Sequence, residues 1–202
     1  MFSLKLRKHT HIAQSAEFEN LIYAHKYSFC IVGNSPAELN SGNGAKIDAH
    51  DLIIRFNNFS VQAPFDMDYG ARTDIWVRSS PGSDVKNRDI SAFKLIMFSG
   101  NFNNPRWKLL KQYLRHKPVG FFPTSYWHEL AEQLKAPPSA GLLTLYTIFK
   151  IVGPLPKANI FGFSLKSQLQ KSAQAHYFDA AKPETRHNWQ KEQEIFETLL
   201  AR

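Results

Sequence analysis

The chain has 202 residues, enough for one domain that buries roughly 70% of the surface its unfolded form exposes. Hydrophobic residues at 43% and charged residues at 21% exclude a disordered or low-complexity chain. A single cysteine, Cys30, excludes an intrachain disulfide, and the net charge of +8 favours acidic partners: nucleic acid, anionic membrane or a phosphorylated small molecule.

The opening MFSLKLRKHTHIAQ is basic but has no apolar run long enough for a signal peptide or a membrane helix. The protein is therefore expected to be cytoplasmic, with the inner face of the membrane as an alternative place. Residues 1–27 are expected to be partly helical and peripheral, ahead of one domain over 28–202. Six short apolar runs read as strands: SFCIVG (28–33), DLIIRFN (51–57), TDIWVRS (73–79), KLIMFSG (94–100), PVGFFP (118–123) and ANIFGFS (158–164). Helical spacing marks 104–116, 125–135, 139–152 and about 186–200. The stretches 79–89 and 166–174 read as polar loops. This alternation predicts a single α/β domain with a mostly parallel central sheet flanked by helices. Ligands of such sheets gather at the carboxyl ends of the strands.

Four segments could carry chemistry. In CIVGNSPAELNSGNG (30–44), Gly33 allows a tight turn and Asn34 places an amide where a phosphate or ribose could lie, with Ser35 beside it. The glycines are not spaced as GxGxxG, and an ordinary strand-to-helix turn reads equally well. In RFNN (55–58), Arg55 and Asn57 are polar groups on a rigid strand end, suited to a charged or sugar ligand; the alternative is a strand closing onto a loop. In PPSAGLLTLYTIF (137–149), Ser139 is a good N-cap, and the backbone N–H groups of Ser139, Ala140 and Gly141 would form an anion site, or merely start a core helix. In HYFD (176–179), His176 precedes His187 by eleven residues; imidazoles suit acid–base work, yet each alone is more often structural. Asp66-Met67-Asp68 matches a three-letter divalent-ion pattern but runs straight into Tyr69-Gly70, a turn. No zinc spacing and no nucleophile elbow occurs, so no metal is assigned.

In this order the segments resemble the sialyltransferases of glycosyltransferase family 29. CIVGNSPAELNSGNGAKIDAHDLIIRFNNF through DYGARTD looks like the family's long motif, and PPSAGLLTLYTIF with NIFGF looks like its second. HYFD resembles the third, and His187 with Glu192 matches the closing H-x4-E motif. The resemblance implies a Rossmann-like glycosyltransferase-A variant whose domain over 28–202 binds a nucleotide sugar. It implies inverting, metal-independent and cofactor-free transfer of sialic acid from CMP-sialic acid to a glycan hydroxyl. By position, Asn34 and Asn57 would contact the CMP, and Ser139 and Gly141 would help hold it. Gly33, Ser35, Arg55, Ala140 and Tyr177 would complete that binding set. His176 would stabilise the departing phosphate, and His187 would be the general base.

Residues five apart on one helix point about 140° away from each other. His187 is therefore expected at or before the first turn of the last helix, facing the cleft, with Glu192 supporting the helix start or the base. Animal members join the first two motifs by a disulfide and carry a membrane anchor and stem. Cys30 has no partner for such a bridge, which implies a short bacterial member. Its acceptor would be an oligosaccharide, lipopolysaccharide or capsule glycan, with Kdo as the alternative donor sugar and peripheral membrane association as a further expectation. Two other classes stay open: a nucleotide-binding module of the same fold without activity, and a nucleic-acid binder. Against the second, Lys and Arg are scattered and no RRM, KH or helix-turn-helix signature occurs, so no specific nucleic-acid partner is expected.

Overall fold

Each of the six apolar runs contains a strand, because parallel strands covered on both faces need continuous rather than alternating apolar character. The computed structural model describes residues 15–79, 88–100, 113, 119–164 and 174–201. Within them the strands are β1 (Phe29–Val32), β2 (Leu52–Phe56), β3 (Ile75–Arg78), β4 (Leu95–Phe98), β5 (Val119–Phe121) and β6 (Ile160–Phe161). Every residue of β1 to β5 is buried. All pairings are parallel, in the order β5-β4-β3-β2-β1-β6.

That order has a consequence for ligands. From β1 to β5 the chain steps outward in one direction, and then it returns to lay β6 on the far side of β1. The direction of winding reverses between β1 and β6, which opens a crevice at their carboxyl ends. The two strand ends meet backbone to backbone there. Gly33 donates its N–H to Phe161 O at 2.8 Å, and Ser35 donates to Gly162 O at 2.9 Å. A Cβ on Gly33 would lie 2.4 Å from Gly162 O, and Gly162 itself has φ +65°, so the close approach needs glycine on both sides.

The helices are α1 (15–24), α2 (Gly44–Asp48), α3 (Asp66–Tyr69), α4 (Thr124–Leu134), α5 (Ala140–Val152) and α6 (Trp189–Leu199). Four of them cover one face of the sheet. Phe18 and Ile22 of α1, Leu130 and Leu134 of α4, Leu142 to Ile148 of α5 and Leu199 of α6 pack against Ile31, Ile54, Val77 and Met97. Each fully buried side chain of this kind contributes about 1.5–3 kcal/mol. The other face carries two smaller clusters, one around Trp76 and Phe98 and one around Cys30, Ile53, Tyr69 and Tyr177.

The N-terminal segment differs from expectation. Phe18 and Ile22 are four residues apart, so α1 presents both to the core, and Ser15 Oγ donates to Phe121 O at 2.8 Å. Residues 15–24 are thus part of the core layer, not peripheral. The expected helix over 104–116 lies outside the described residues except for Tyr113, which is helical and buried. The expected loops at 79–89 and 166–174 fall almost wholly outside them. No helix among the described residues is long and apolar enough to cross a membrane.

Candidate active site

The carboxyl edge of the sheet opens into a cleft of about 590 Å³. Its floor is made by the residues that follow the strands: Gly33 to Ser35 after β1, Asn57 and Asn58 after β2, and Gly162 and Phe163 after β6. Arg78, Ser79 and Ser99 extend it under β3 and β4. The start of α5 and the segment holding His176, Lys182 and His187 supply the walls.

Asn34 and Asn57 are held by complementary bonds. Asn34 Nδ2 donates to Phe56 O at 3.0 Å and to Asn58 O at 2.8 Å, which uses both amide protons to tie the β1 loop to the β2 loop. Only its carbonyl oxygen remains, an acceptor that suits a ribose hydroxyl or a base amino group and repels a phosphate. Asn57 sits at φ 47°, a left-handed conformation that asparagine tolerates. Its Oδ1 accepts from Ser79 N at 2.8 Å, so its amide N–H₂ is the group left to donate. Ser35 is buried and caps the short turn after it, accepting from Ala37 N at 3.3 Å.

The start of α5 is built around a buried acid. Ser139 caps the helix by accepting from Leu142 N at 3.1 Å. Its hydroxyl donates to Glu192 Oε2 at 2.6 Å, and its backbone N–H donates to Glu192 Oε1 at 2.7 Å. Glu192 is 0% exposed, and burial pushes its carboxyl up to about 7. Because it takes both the hydroxyl and the N–H of Ser139, Glu192 braces the start of α5 rather than the start of its own helix. With the Ser139 hydroxyl and N–H both spent, the N–H groups of Ala140 and Gly141 are what the helix start offers to the cleft.

His187 lies two residues before Trp189, the first residue of α6, as the geometry of H-x4-E required. The α6 start is clamped to the end of α4: Asn188 Nδ2 donates to Leu134 O at 3.0 Å, and His187 Nδ1 meets Pro137 O at 2.8 Å. A carbonyl only accepts, so Nδ1 carries the proton and Nε2 carries the lone pair. Glu192 Oε1 is 3.8 Å from Nδ1, too far to take that bond. Burial lowers the His187 pKa from 6.5, with the Pro137 bond opposing and the Arg186 charge assisting. The imidazole is therefore neutral at pH 7, with Nε2 able to take a proton. Nε2 accepts a long 3.4 Å contact from Arg186, an exposed side chain paired to Glu184.

His176 shares the cleft. Its Nδ1 is 3.1 and 3.2 Å from the two oxygens of Asp179, and its ring stacks on Phe178 at 5.1 Å. These contacts fix the ring and leave Nε2 as its second polar atom. Both histidines, Asn34, Asn57, Gly33, Ser35 and the Ser139–Gly141 turn are thus brought to one cavity.

Two expected residues lie elsewhere. Arg55 is 1% exposed and does not line the cleft. It points to the opposite side chain face from Phe56, where its guanidinium donates to Arg72 O at 2.9 Å and Tyr69 O at 2.5 Å. Tyr177 is 3% exposed and stacks on Tyr69 at 3.7 Å, with its hydroxyl bonded to Ser60. Both brace loops from beneath. Asp66 and Asp68 are also away from the cleft: Asp68 accepts from Asn40 N at 2.7 Å and Gly42 N at 2.9 Å. Sequence reasoning passed over Arg78, Ser99, Lys182, Arg186 and two tryptophans, Trp127 and Trp189, all of which line the cleft. For Arg78 and Ser99 a signal existed, since both end predicted strands at the edge where ligands bind.

A family model, glycosyltransferase family 29 (sialyltransferase), matches residues 5–136, well over half the chain. The chain belongs to that family. Family 29 is a family of transferases, and similarity to its members extends across kingdoms. A sialyltransferase-like protein 2 of Oryza sativa subsp. indica is 47% identical over 55 residues, which is 27% of this chain and 14% of the rice protein. A CMP-N-acetylneuraminate-beta-1,4-galactoside alpha-2,3-sialyltransferase of Mus musculus is 28% identical over 128 residues, 61% of this chain and 33% of the mouse protein. The chain thus spans a third or less of these relatives. In fold it is similar to a mammalian sialyltransferase solved with Gal-beta-1-3GalNAc-ortho-nitrophenol, with TM-score 0.57 and 17% identity over 84% of this chain and 64% of that one. The six-stranded parallel sheet with flanking helices is therefore a family 29 fold.

Proposed function

We propose that the protein transfers sialic acid from CMP-sialic acid to a hydroxyl of a galactoside-containing glycan, with inversion at the anomeric carbon. In this reading the acceptor hydroxyl gives its proton to His187 Nε2 while its oxygen bonds to the anomeric carbon. The bond from that carbon to the phosphate oxygen breaks, and CMP departs with the electron pair. The Ala140 and Gly141 N–H groups meet the phosphate, and His176, with Nδ1–H held by Asp179, donates from Nε2 as the imidazolium to the oxygen that gains charge. Asn34 and Asn57 hold the nucleoside. The donor and acceptor classes come from the relatives' names, CMP-N-acetylneuraminate and beta-1,4-galactoside.

The observation that carries the reading is the 2.8 Å bond between His187 Nδ1 and Pro137 O. It fixes the tautomer a general base needs, on a residue that lines the same cavity as a helix N-terminus. The test is His187→Ala, assayed for CMP release from CMP-sialic acid with lactose, with CMP-Kdo as the comparison donor. Turnover should fall about 10²-fold or more while CMP affinity changes little. Unchanged turnover in the variant, or none in the natural protein, rejects the reading.

A further inference from the structure

We propose that Trp189 is the platform on which the acceptor sugar stacks, an assignment that rests on the transfer reading and extends it to the acceptor. A general base works within about 3 Å of the hydroxyl it deprotonates, so the sugar bearing that hydroxyl must lie against whatever flanks His187. Trp189 flanks it: the ring centroids are 5.0 Å apart, with planes at 63°. The indole is half-buried and lines the cleft. Its N–H donates to Glu184 O at 2.9 Å. That bond uses the only polar atom of the side chain and fixes the plane of the ring. The Asn188 cap anchors the same turn through Lys191 N and Leu134 O. What Trp189 offers the cleft is a rigid carbon surface beside the base.

A galactopyranose matches such a surface. Its axial 4-hydroxyl leaves the C3, C4 and C5 hydrogens together on one apolar face, and aromatic rings in ligand clefts take up faces of that kind. The competing occupant is the cytosine ring of the donor. On the transfer reading, however, the nucleoside is held at the strand ends by the Asn34 carbonyl and the Asn57 amide, the groups their bonds within the protein leave over, and not by Trp189.

Steady-state rates with CMP-sialic acid and lactose, and calorimetric titration with CMP, test this on Trp189→Ala and Trp189→Phe. The Ala variant should raise KM for lactose about tenfold with a smaller change in kcat and with CMP affinity held within about twofold. The Phe variant keeps the carbon face and should restore KM to within about threefold of the natural protein. An unchanged lactose KM in Trp189→Ala overturns the proposal. So does a parallel loss of CMP affinity, which would place the base on the ring. Natural protein that binds CMP yet transfers to no galactoside contradicts the transfer reading itself, and the platform falls with it.

Discussion

Burial pushes two groups beside the cleft in opposite directions: the Glu192 carboxyl up to about 7, and the His187 imidazole below 6.5. For His187 the neutral form is favoured in the fold, so stability from it is present above pH 6.5 and lost as pH falls through the lower folded value. On the proposed reading His187 acts as base when neutral, and kcat/KM for transfer should therefore show its acid limb below pH 6.5. A limb above pH 7 that disappears in His187→Ala would contradict this. Glu192 has the other sign. Its folded pKa is raised, so its contribution is fully present below about pH 4.5 and lost as pH rises through about 7. Glu192→Gln should therefore gain on the natural protein by about 3 kcal/mol between pH 4.5 and pH 8, read from urea midpoints at each pH. A pH-independent difference between the two would rule out an acid held protonated by burial. Of these two residues, the sequence disclosed the position of His187 through helical geometry. It did not disclose that Glu192 serves Ser139, because that contact spans 53 residues and joins two helices whose packing no local pattern records.

Two joints between elements position the site. At the first, the strand ends touch at Gly33 and Gly162. Gly162→Ala places a Cβ 2.4 Å from Gly33 O at φ +65° and should cost about 2 kcal/mol or more, measured by denaturation, with a loss of CMP affinity. At the second, Ser139 links α5 to Glu192. Ser139→Ala removes the helix cap and one of two donors to a buried carboxyl, a loss of about 2–3 kcal/mol. A thermal midpoint unchanged in Ser139→Ala would show that the clamp carries no load. The strands themselves were legible: all six apolar runs hold one, because burial on both faces leaves an uninterrupted apolar signal. Side-chain direction was less so. Arg55 reads as part of RFNN, yet strand residues alternate between faces, and it falls on the face of Ile53 and Tyr69 while Phe56 and the asparagines reach the cleft. Counting by twos from Phe56 gives Ile54 and Leu52 and leaves Arg55 with Ile53 on the other face, which would have assigned it correctly.

At the scale of the whole molecule, the reversal of strand order between β1 and β6 opens the cleft at the carboxyl edge, and on the proposed reading the N-terminus of α5 receives the donor phosphate there. The family match ends at residue 136, whereas the α5 start, His176 and His187 all follow it. The later motifs were readable from their order in the chain, but their convergence depends on the crossover from β5 to β6 and so required the fold. Arg78 and Lys182 line the cleft, where Arg186 is paired to Glu184, in a chain of net charge +8. CMP should bind several-fold more weakly at about 0.5 M salt than at 0.05 M, as screening shortens the reach of that field. A crystal structure of the protein with CMP tests the central assignment most directly. The account predicts phosphate oxygens within hydrogen-bond distance of the Ala140 and Gly141 N–H groups, the nucleoside against Asn34 and Asn57, and His187 Nε2 facing the phosphate end. A nucleotide bound at the amino edge of the sheet, or one turned so that its phosphate lies away from α5, would contradict it.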